Sequence, residues 1–215
     1  MGRDKAFLEV RSEPLWQRQV RILKELNPRE LFIAGPAHHQ WHESGAEILA
    51  DSQANAGPLA GLVAGLRRCG APLLLAFAVD LPNMTRDYLM GLLRSCRQGT
   101  GVVPVNASTF EPLVAFYPRV SLDLAESCLR DGRLSLQDFA ASAVSSGLVR
   151  RHAINPGDLR LFLNMNTPAD LAAVLLGSAG ASSAVFGAPP KTLRAPDVSR
   201  EARDRAGEAP ALPRR

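Results

Sequence analysis

The sequence predicts an α/β domain, because short apolar runs alternate with helical patterns over residues 1–176. The most strand-like run covers residues 73–79, which are apolar without interruption, as expected of a central parallel strand covered on both faces. The clearest helix start lies near the end of this region: Thr167 suits the N-cap, Pro168 the first helical position and Asp170 the first turn. These patterns predict a mostly parallel sheet between layers of helices.

The predicted elements follow one another along the chain. A helix begins at Pro14 and presents an apolar face that includes Leu15 and Ile22 through residue 26. Two short strands over residues 31–34 and 47–50 follow, and Pro58 opens a second helix that ends near residue 70. After the strand at residues 73–79 come a helix capped by Thr85 through residue 97, strands over 102–105 and 113–117, and helices over 121–130 and 135–143.

Composition excludes several classes of protein. The 215 residues are 46% apolar, which suffices for one domain with a substantial core. No apolar run approaches the roughly 18 residues of a membrane helix, and the N-terminus carries no signal peptide. The three cysteines, Cys69, Cys96 and Cys128, are odd in number and far apart, so they indicate neither a disulfide framework nor a zinc site and favour a reducing cytoplasm.

The charge distribution separates a body from a tail. The chain has a pI of about 9.3 and a net charge of +4, of which residues 178–215 carry +3, from seven Lys/Arg and four Asp/Glu. The nearly neutral body and the lack of an aromatic basic stripe argue against nucleic-acid binding. Residues 177–215 contain few large apolar side chains, so they predict a disordered tail after a domain that spans residues 1–176.

Acidic residues follow two of the predicted strands. Asp51 follows the strand at residues 47–50, and Asp80 follows the strand at 73–79. Ligands of open α/β sheets bind at the carboxyl ends of the strands, and Mg²⁺ typically uses one or two carboxylates beside phosphate and water oxygens. A structural alternative stays open for Asp80, because Asp-x-Pro is common turn chemistry.

Four blocks of sequence, in a fixed order, resemble one known family. They are Met1-Gly2-Arg3-Asp4-Lys5, Asp51-Ser52 with Gly57-Pro58-Leu59-Ala60-Gly61-Leu62, Asp80-Leu81-Pro82-Asn83-Met84, and Asn164-Met165-Asn166-Thr167-Pro168-Ala169-Asp170-Leu171. The stretch Glu111-Pro112-Leu113-Val114-Ala115-Phe116-Tyr117 resembles a strand on the family's substrate side. Together they resemble the molybdenum cofactor guanylyltransferase family of the nucleotidyltransferase superfamily.

The resemblance implies a Rossmann-like three-layer nucleotidyltransferase fold with its first strand missing. In the family a strand runs into a loop of the form Leu-Ala-Gly-Gly-x-Ser-x-Arg-Met-Gly-x-Asp-Lys, of which only the last five positions occur here. The glycines of such a loop let backbone N–H groups close on a triphosphate. We therefore expect the domain over residues 1–176 to lack the N-terminal strand and the glycine-rich loop.

The resemblance also implies a reaction and its residues. The family transfers GMP from GTP to molybdenum-molybdopterin, which yields the guanine dinucleotide form of the cofactor and pyrophosphate. Lys5 and Asp80 would be catalytic, with Mg²⁺ on Asp80; Lys5, Asp51, Gly57 and Asp80 would contact GTP, and Asn166, together with Asn164, would face the pterin. Molybdoenzymes or their chaperones would be further partners. Helix capping and backbone pairing are the structural alternatives for the two asparagines.

Other functions stay open at this stage. A cytidylyltransferase of the same superfamily would share these blocks, and a non-catalytic remnant would keep the fold without the phosphate loop. A metal site at His38, His39 and His42 is not favoured, because only Glu43 could complete a ligand set and solvated loop histidines are the simpler interpretation.

Overall fold

Five helices and nine strands make up the part of the chain that the computed structural model describes, residues 5–10, 12–35, 38–49 and 57–165. The helices are α1 (Leu15–Glu25), α2 (Gly57–Arg68), α3 (Arg86–Arg94), α4 (Leu122–Arg130) and α5 (Leu136–Ser145). The strands are β1 (Glu9–Val10), β2 (Glu13–Pro14), β3 (Phe32–Ala34), β4 (Glu47–Leu49), β5 (Leu73–Phe77), β6 (Gly101–Asn106), β7 (Thr109–Phe110), β8 (Val114–Pro118) and β9 (Val149–Ala153). Short 3₁₀ helices occupy Lys5–Phe7, His39–Ser44, Arg119–Ser121 and Pro156–Phe162.

The main sheet has the order β5-β8-β6-β7, with β9 also paired to β6. Strand β8 is antiparallel to both β5 and β6, whereas β9 is parallel to β6. Strands β5, β6 and β9 therefore point the same way, and β8 runs against them. Strands β3 and β4 form a separate parallel pair, with Ile33 opposite Ile48.

Helices cover both faces of the main sheet. Successive side chains of a strand point to opposite faces, and β8 shows this clearly: Ala115 and Tyr117 pack with α2, α4 and α5, whereas Val114 and Phe116 pack with α1 and α3. This three-layer arrangement confirms the predicted α/β fold. Residues 73–79 differ from the expected central parallel strand, because β5 has only the antiparallel β8 as a partner within the described residues. Strands β6 and β8 approach so closely that a Cβ on Gly101 would collide with the carbonyl oxygen of Phe116.

Most predicted elements occur within two or three residues of the expected positions. The side chain of Thr85 accepts a hydrogen bond from the Tyr88 amide, 3.3 Å away, so the predicted cap is present. Ser135 caps α5 in the same way, accepting from the Asp138 amide, 3.2 Å away. Helix α3 ends at Arg94, earlier than expected. None of the described helices is both long and apolar enough to cross a membrane.

Several elements differ from the sequence-based expectation. Strand β9 was not predicted, because Arg150, Arg151 and His152 interrupt its apolar pattern. Its backbone pairing with β6 stabilises it instead. The histidine segment is a 3₁₀ helix rather than a loop, and the His38 ring packs 4.4 Å from that of Phe7. The predicted helix after Thr167 and the predicted tail lie outside the described residues.

Candidate functional site

The carboxyl end of β5 carries Asp80, the acidic residue that sequence analysis emphasised. Strand β5 ends at Phe77, and the pairing with the neighbouring segment continues one step further, since the Ala78 amide donates to the Leu113 carbonyl over 2.9 Å. Asp80 is half-buried beyond this point. Its own carbonyl oxygen accepts a hydrogen bond from the Met165 amide, 2.9 Å away.

Two sequence blocks that are far apart in the chain therefore meet. The Met165–Asp80 hydrogen bond places the asparagine block beside the Asp80 block, with Met165 fully buried and Asn164 exposed next to it. Asn166 lies outside the described residues, as do Asp51 and residues 1–4. Lys5 is the first residue of the 3₁₀ turn Lys5–Phe7.

A second carboxylate lies close to Asp80. Burial raises the pKa of Glu111 above its ordinary value, and the negative charge of Asp80 raises it further. The pKa of Tyr88 is raised to about 12, mainly because the side chain is buried. The negative charges of Asp158 and Glu111 raise this pKa further, by smaller amounts. Negative charge is thus concentrated at this end of the sheet.

The chemistry of this donor set suits Mg²⁺. Within the described residues, no group of three or more His, Cys, Asp or Glu side chains is arranged to hold a metal ion. One or two carboxylates are the usual protein contribution to a Mg²⁺ site, with phosphate and water oxygens completing the octahedron. Asp80, half-buried beyond the carboxyl end of β5, is a ligand of the type that such a site uses.

Beside Asp80 a slot of about 580 Å³ separates β3 from β5. The slot is lined by residues of β3 and β5 and by residues of α1 and α2. Ala6, Gly57, Asp80 and Leu113 also line it. Two sequence-predicted positions, Gly57 and Asp80, thus border the same cavity. Gly57 has φ of +62°, a conformation that glycine adopts without strain.

The slot has the properties of a space for one more strand. Strand β3 pairs with β4 along one edge, and strand β5 pairs with β8 along one edge. Within the described residues, neither β3 nor β5 has a partner along its other edge. Two buried polar atoms of residues that line the slot, the indole nitrogen of Trp16 and the side-chain oxygen of Gln19, have no hydrogen-bond partner among the residues that the structure describes. An inserted peptide would offer an acceptor to the first and a donor to the second.

A second cavity of about 540 Å³ lies along α1, between Gln17 and Ser44, and borders neither Asp80 nor Gly57. It has no connection with the predicted site residues, so the slot and the carboxyl end of β5 form the candidate site.

Two residues contribute to this site without having been predicted from the sequence, Glu111 and Gln19. Glu111 was noted only as part of a strand block, because its closeness to Asp80 depends on the long-range pairing of β5 and β8. Gln19 was missed altogether, although it stands four residues after Leu15 and three before Ile22 on the apolar face of α1. The sequence signal for Gln19 is a polar residue within the apolar stripe of a helix, which indicates a buried side chain that needs hydrogen-bond partners.

Comparisons with known proteins agree with this arrangement. The family model described as "MobA-like NTP transferase domain" matches residues 1–146. The chain is 39% identical over 173 residues to the "Probable molybdenum cofactor guanylyltransferase" of Opitutus terrae, covering 79% of this chain and 86% of that protein. It is 30% identical over 180 residues to the protein of the same name from Pelotomaculum thermopropionicum, covering 80% and 83% respectively.

Solved structures show the same fold. The "Molybdopterin-guanine dinucleotide biosynthesis protein A" of Archaeoglobus fulgidus superposes with a TM-score of 0.61 at 20% identity, covering 83% of this chain and 92% of that one. The 2-C-methyl-D-erythritol 4-phosphate cytidylyltransferase of Thermus thermophilus gives a TM-score of 0.62 at 18% identity, covering 81% and 93%. The fold is therefore that of nucleotidyltransferases.

Proposed function

The chain belongs to the MobA-like NTP transferase family, and on this basis we propose that it transfers GMP from GTP to molybdenum-molybdopterin. The observation that carries the proposal is the meeting of three family blocks at the carboxyl end of β5 and the adjoining slot. The products would be the guanine dinucleotide form of the molybdenum cofactor and pyrophosphate. The relatives that match over most of their length bear the name of this reaction.

The proposed reaction exchanges one phosphoanhydride bond for another. A terminal phosphate oxygen of the molybdopterin attacks the α-phosphorus of GTP and forms a new P–O bond. The bond from the α-phosphorus to the oxygen shared with the β-phosphorus breaks, and its electron pair leaves with pyrophosphate. The attacking oxygen is already anionic near neutral pH, so the chain's main tasks are to position the two substrates and to balance charge.

Each predicted residue has a part in this proposal. Asp80, with Glu111 nearby, would hold Mg²⁺, which when bound neutralises phosphate charge and stabilises the leaving pyrophosphate. Lys5 would contribute a further positive charge to the phosphates, and Asp51 would orient the nucleotide. Gly57 would let the start of α2 approach the ligand closely, and Asn166 with Asn164 would bond the donor and acceptor edges of the pterin.

A non-catalytic role is the second candidate, and the slot favours it. The slot supports this alternative, because it lies between two strand edges that have no partner within the described residues and offers room for a further strand. A chain that keeps the fold without this loop would bind partners or pterin and transfer nothing.

Nucleotide choice separates the proposal from its close alternatives. We expect α-labelled GTP to pass its label to molybdenum-molybdopterin in the presence of the chain and Mg²⁺, with CTP and ATP transferring at least about 100-fold less, since a site that pairs the guanine edge rejects the wrong base strongly. Chromatography of the labelled cofactor measures this directly. Preferred transfer from CTP would identify a cytidylyltransferase, and absence of transfer from every nucleotide would support the non-catalytic role.

A further inference from the structure

The segment after β5, residues 79–84, is buried without being part of a strand. Leu81 and Met84 are 2% and 0% exposed, and their carbonyl groups lie outside every strand pairing of the described residues. Buried carbonyl groups need donors. The Met84 amide donates to the Leu81 carbonyl over 3.2 Å, and two side chains of α1 provide further donors: Gln19 donates to Val79 and Leu81, and Arg18 donates to Pro82 and Met84.

Gln19 holds the carbonyl groups of the two residues on either side of Asp80. Gln19 is only 4% exposed. Its side-chain amide nitrogen lies 3.2 Å from the carbonyl oxygen of Val79 and 2.8 Å from that of Leu81. The carbonyl between them, that of Asp80, accepts the Met165 amide. Three successive carbonyl groups are therefore fixed, which leaves the Asp80 backbone little freedom to rotate.

Arg18 acts on a different part of the same segment. Its guanidinium lies 2.8 Å from the carbonyl oxygen of Pro82 and 3.2 Å from that of Met84, beyond Asp80 in the chain. Gln19 is the member of this pair that bears on the acidic residue. Because its amide is neutral, it holds both carbonyl groups without placing a competing positive charge inside the candidate cation site.

We propose that Gln19 is a positioning residue that fixes the direction of the Asp80 carboxylate. The inference rests on the proposed function, in which Asp80 holds Mg²⁺. Groups that orient a metal ligand commonly change metal affinity by 10- to 100-fold when they are removed. Gln19 would act in this way through the backbone, from the first helix of the chain to the end of β5.

The test uses Mn²⁺ as a paramagnetic probe of the whole chain in the presence of GTP, whose phosphate oxygens would complete the site. Mn²⁺ accepts the same oxygen ligands as Mg²⁺ and broadens nuclear magnetic resonance signals near its site. We expect Mn²⁺ to broaden the backbone amide signals of residues 79–84 in the unaltered chain. In Gln19→Met, which keeps the length of the side chain and removes the donor, half-maximal broadening would need about 10- to 100-fold more Mn²⁺.

A matched control and a milder variant accompany the test. Gln17→Met makes the same exchange at an exposed position of the same helix and should leave the Mn²⁺ titration unchanged. Gln19→Asn keeps the amide but is too short to reach both carbonyl groups, so its Mn²⁺ titration should shift in the same direction. If circular dichroism shows that Gln19→Met does not fold, the Gln19→Asn variant tests the positioning role in its place.

The outcomes distinguish this inference from the proposed function. Equal Mn²⁺ titrations for the unaltered chain and the folded Gln19 variants would overturn the positioning role and leave the metal role of Asp80 standing. If Mn²⁺ broadens no signal near residue 80 in the unaltered chain, the metal role fails and the positioning of a metal ligand fails with it. If Gln17→Met weakened Mn²⁺ binding as much as the Gln19 variants do, the effect would be a general one of changes in α1, and the positioning role of Gln19 would also be overturned.

Discussion

A chain lengthened before Met1 by one strand and a glycine-rich loop is expected to unfold at a temperature on the order of 10 °C higher and to bind GTP more tightly than the present chain. The added segment would consist of four β-branched apolar residues followed by Leu-Ala-Gly-Gly-x-Ser-x-Arg, with serine at the two open positions. It would enter the slot of about 580 Å³ between β3 and β5 and pair with both open edges.

The expected gain has two physical sources. Buried polar groups without a partner each cost roughly 1–3 kcal/mol, and the inserted backbone would pair the indole nitrogen of Trp16 and the side-chain oxygen of Gln19. The glycine-rich loop would add backbone N–H groups for the triphosphate of GTP. Thermal unfolding followed by circular dichroism measures the first effect, and titration calorimetry with GTP measures the second.

A lengthened chain of identical size but with glycine and serine throughout the added segment is the matched control. It cannot form a stable strand, so we expect it to unfold like the present chain. Hydrogen exchange should show slower exchange of the amides of Phe32–Ala34 and Leu73–Phe77 only with the strand-forming extension. Unchanged exchange and unchanged unfolding temperature with that extension would show that the slot does not receive a strand.

Replacing Asp80 by alanine is expected to lower GMP transfer by at least about 100- to 1,000-fold while leaving the fold intact. The carboxylate that would hold Mg²⁺ is lost, so the charge of the leaving pyrophosphate is no longer balanced at the end of β5. Asp80→Asn, which keeps the shape and removes the charge, should behave similarly. Initial rates of transfer at saturating GTP and increasing Mg²⁺ measure the loss, and circular dichroism checks the fold.

The control for this change is Asp87→Ala. The Asp87 side chain is 92% exposed in the first turn of α3 and touches no part of the slot, so its removal should leave transfer unchanged. Mg²⁺-dependent transfer by Asp80→Ala at the rate of the unaltered chain would rule out the role assigned to Asp80.

Local features of the fold could be predicted from the sequence because local chemistry determines them. Thr85 and Ser135 each satisfy a backbone amide of the next turn, and the continuous apolar run at residues 73–79 forms β5, whose residues are all partly buried. The order of these elements along the chain then indicated the α/β class.

Long-range pairing could not be predicted in the same way. Strand β9 contains Arg150, Arg151 and His152, and its position depends on hydrogen bonds to β6 rather than on an apolar face. The closeness of Glu111 to Asp80 depends on the antiparallel insertion of β8 beside β5, which no local pattern specifies. Gln19 contacts residues about sixty positions away, so only its place in the apolar stripe of α1 pointed to a special role.

The fate of two phosphate labels distinguishes attack on the α-phosphorus of GTP by molybdenum-molybdopterin from other reactions of the triphosphate. The chain is incubated with Mg²⁺, molybdenum-molybdopterin and GTP labelled either on the α- or on the γ-phosphate. We predict that the α label enters the guanine dinucleotide product while the γ label leaves in pyrophosphate, in a one-to-one ratio. Transfer of the γ label to the pterin, or its release as inorganic phosphate, would contradict the proposed reaction.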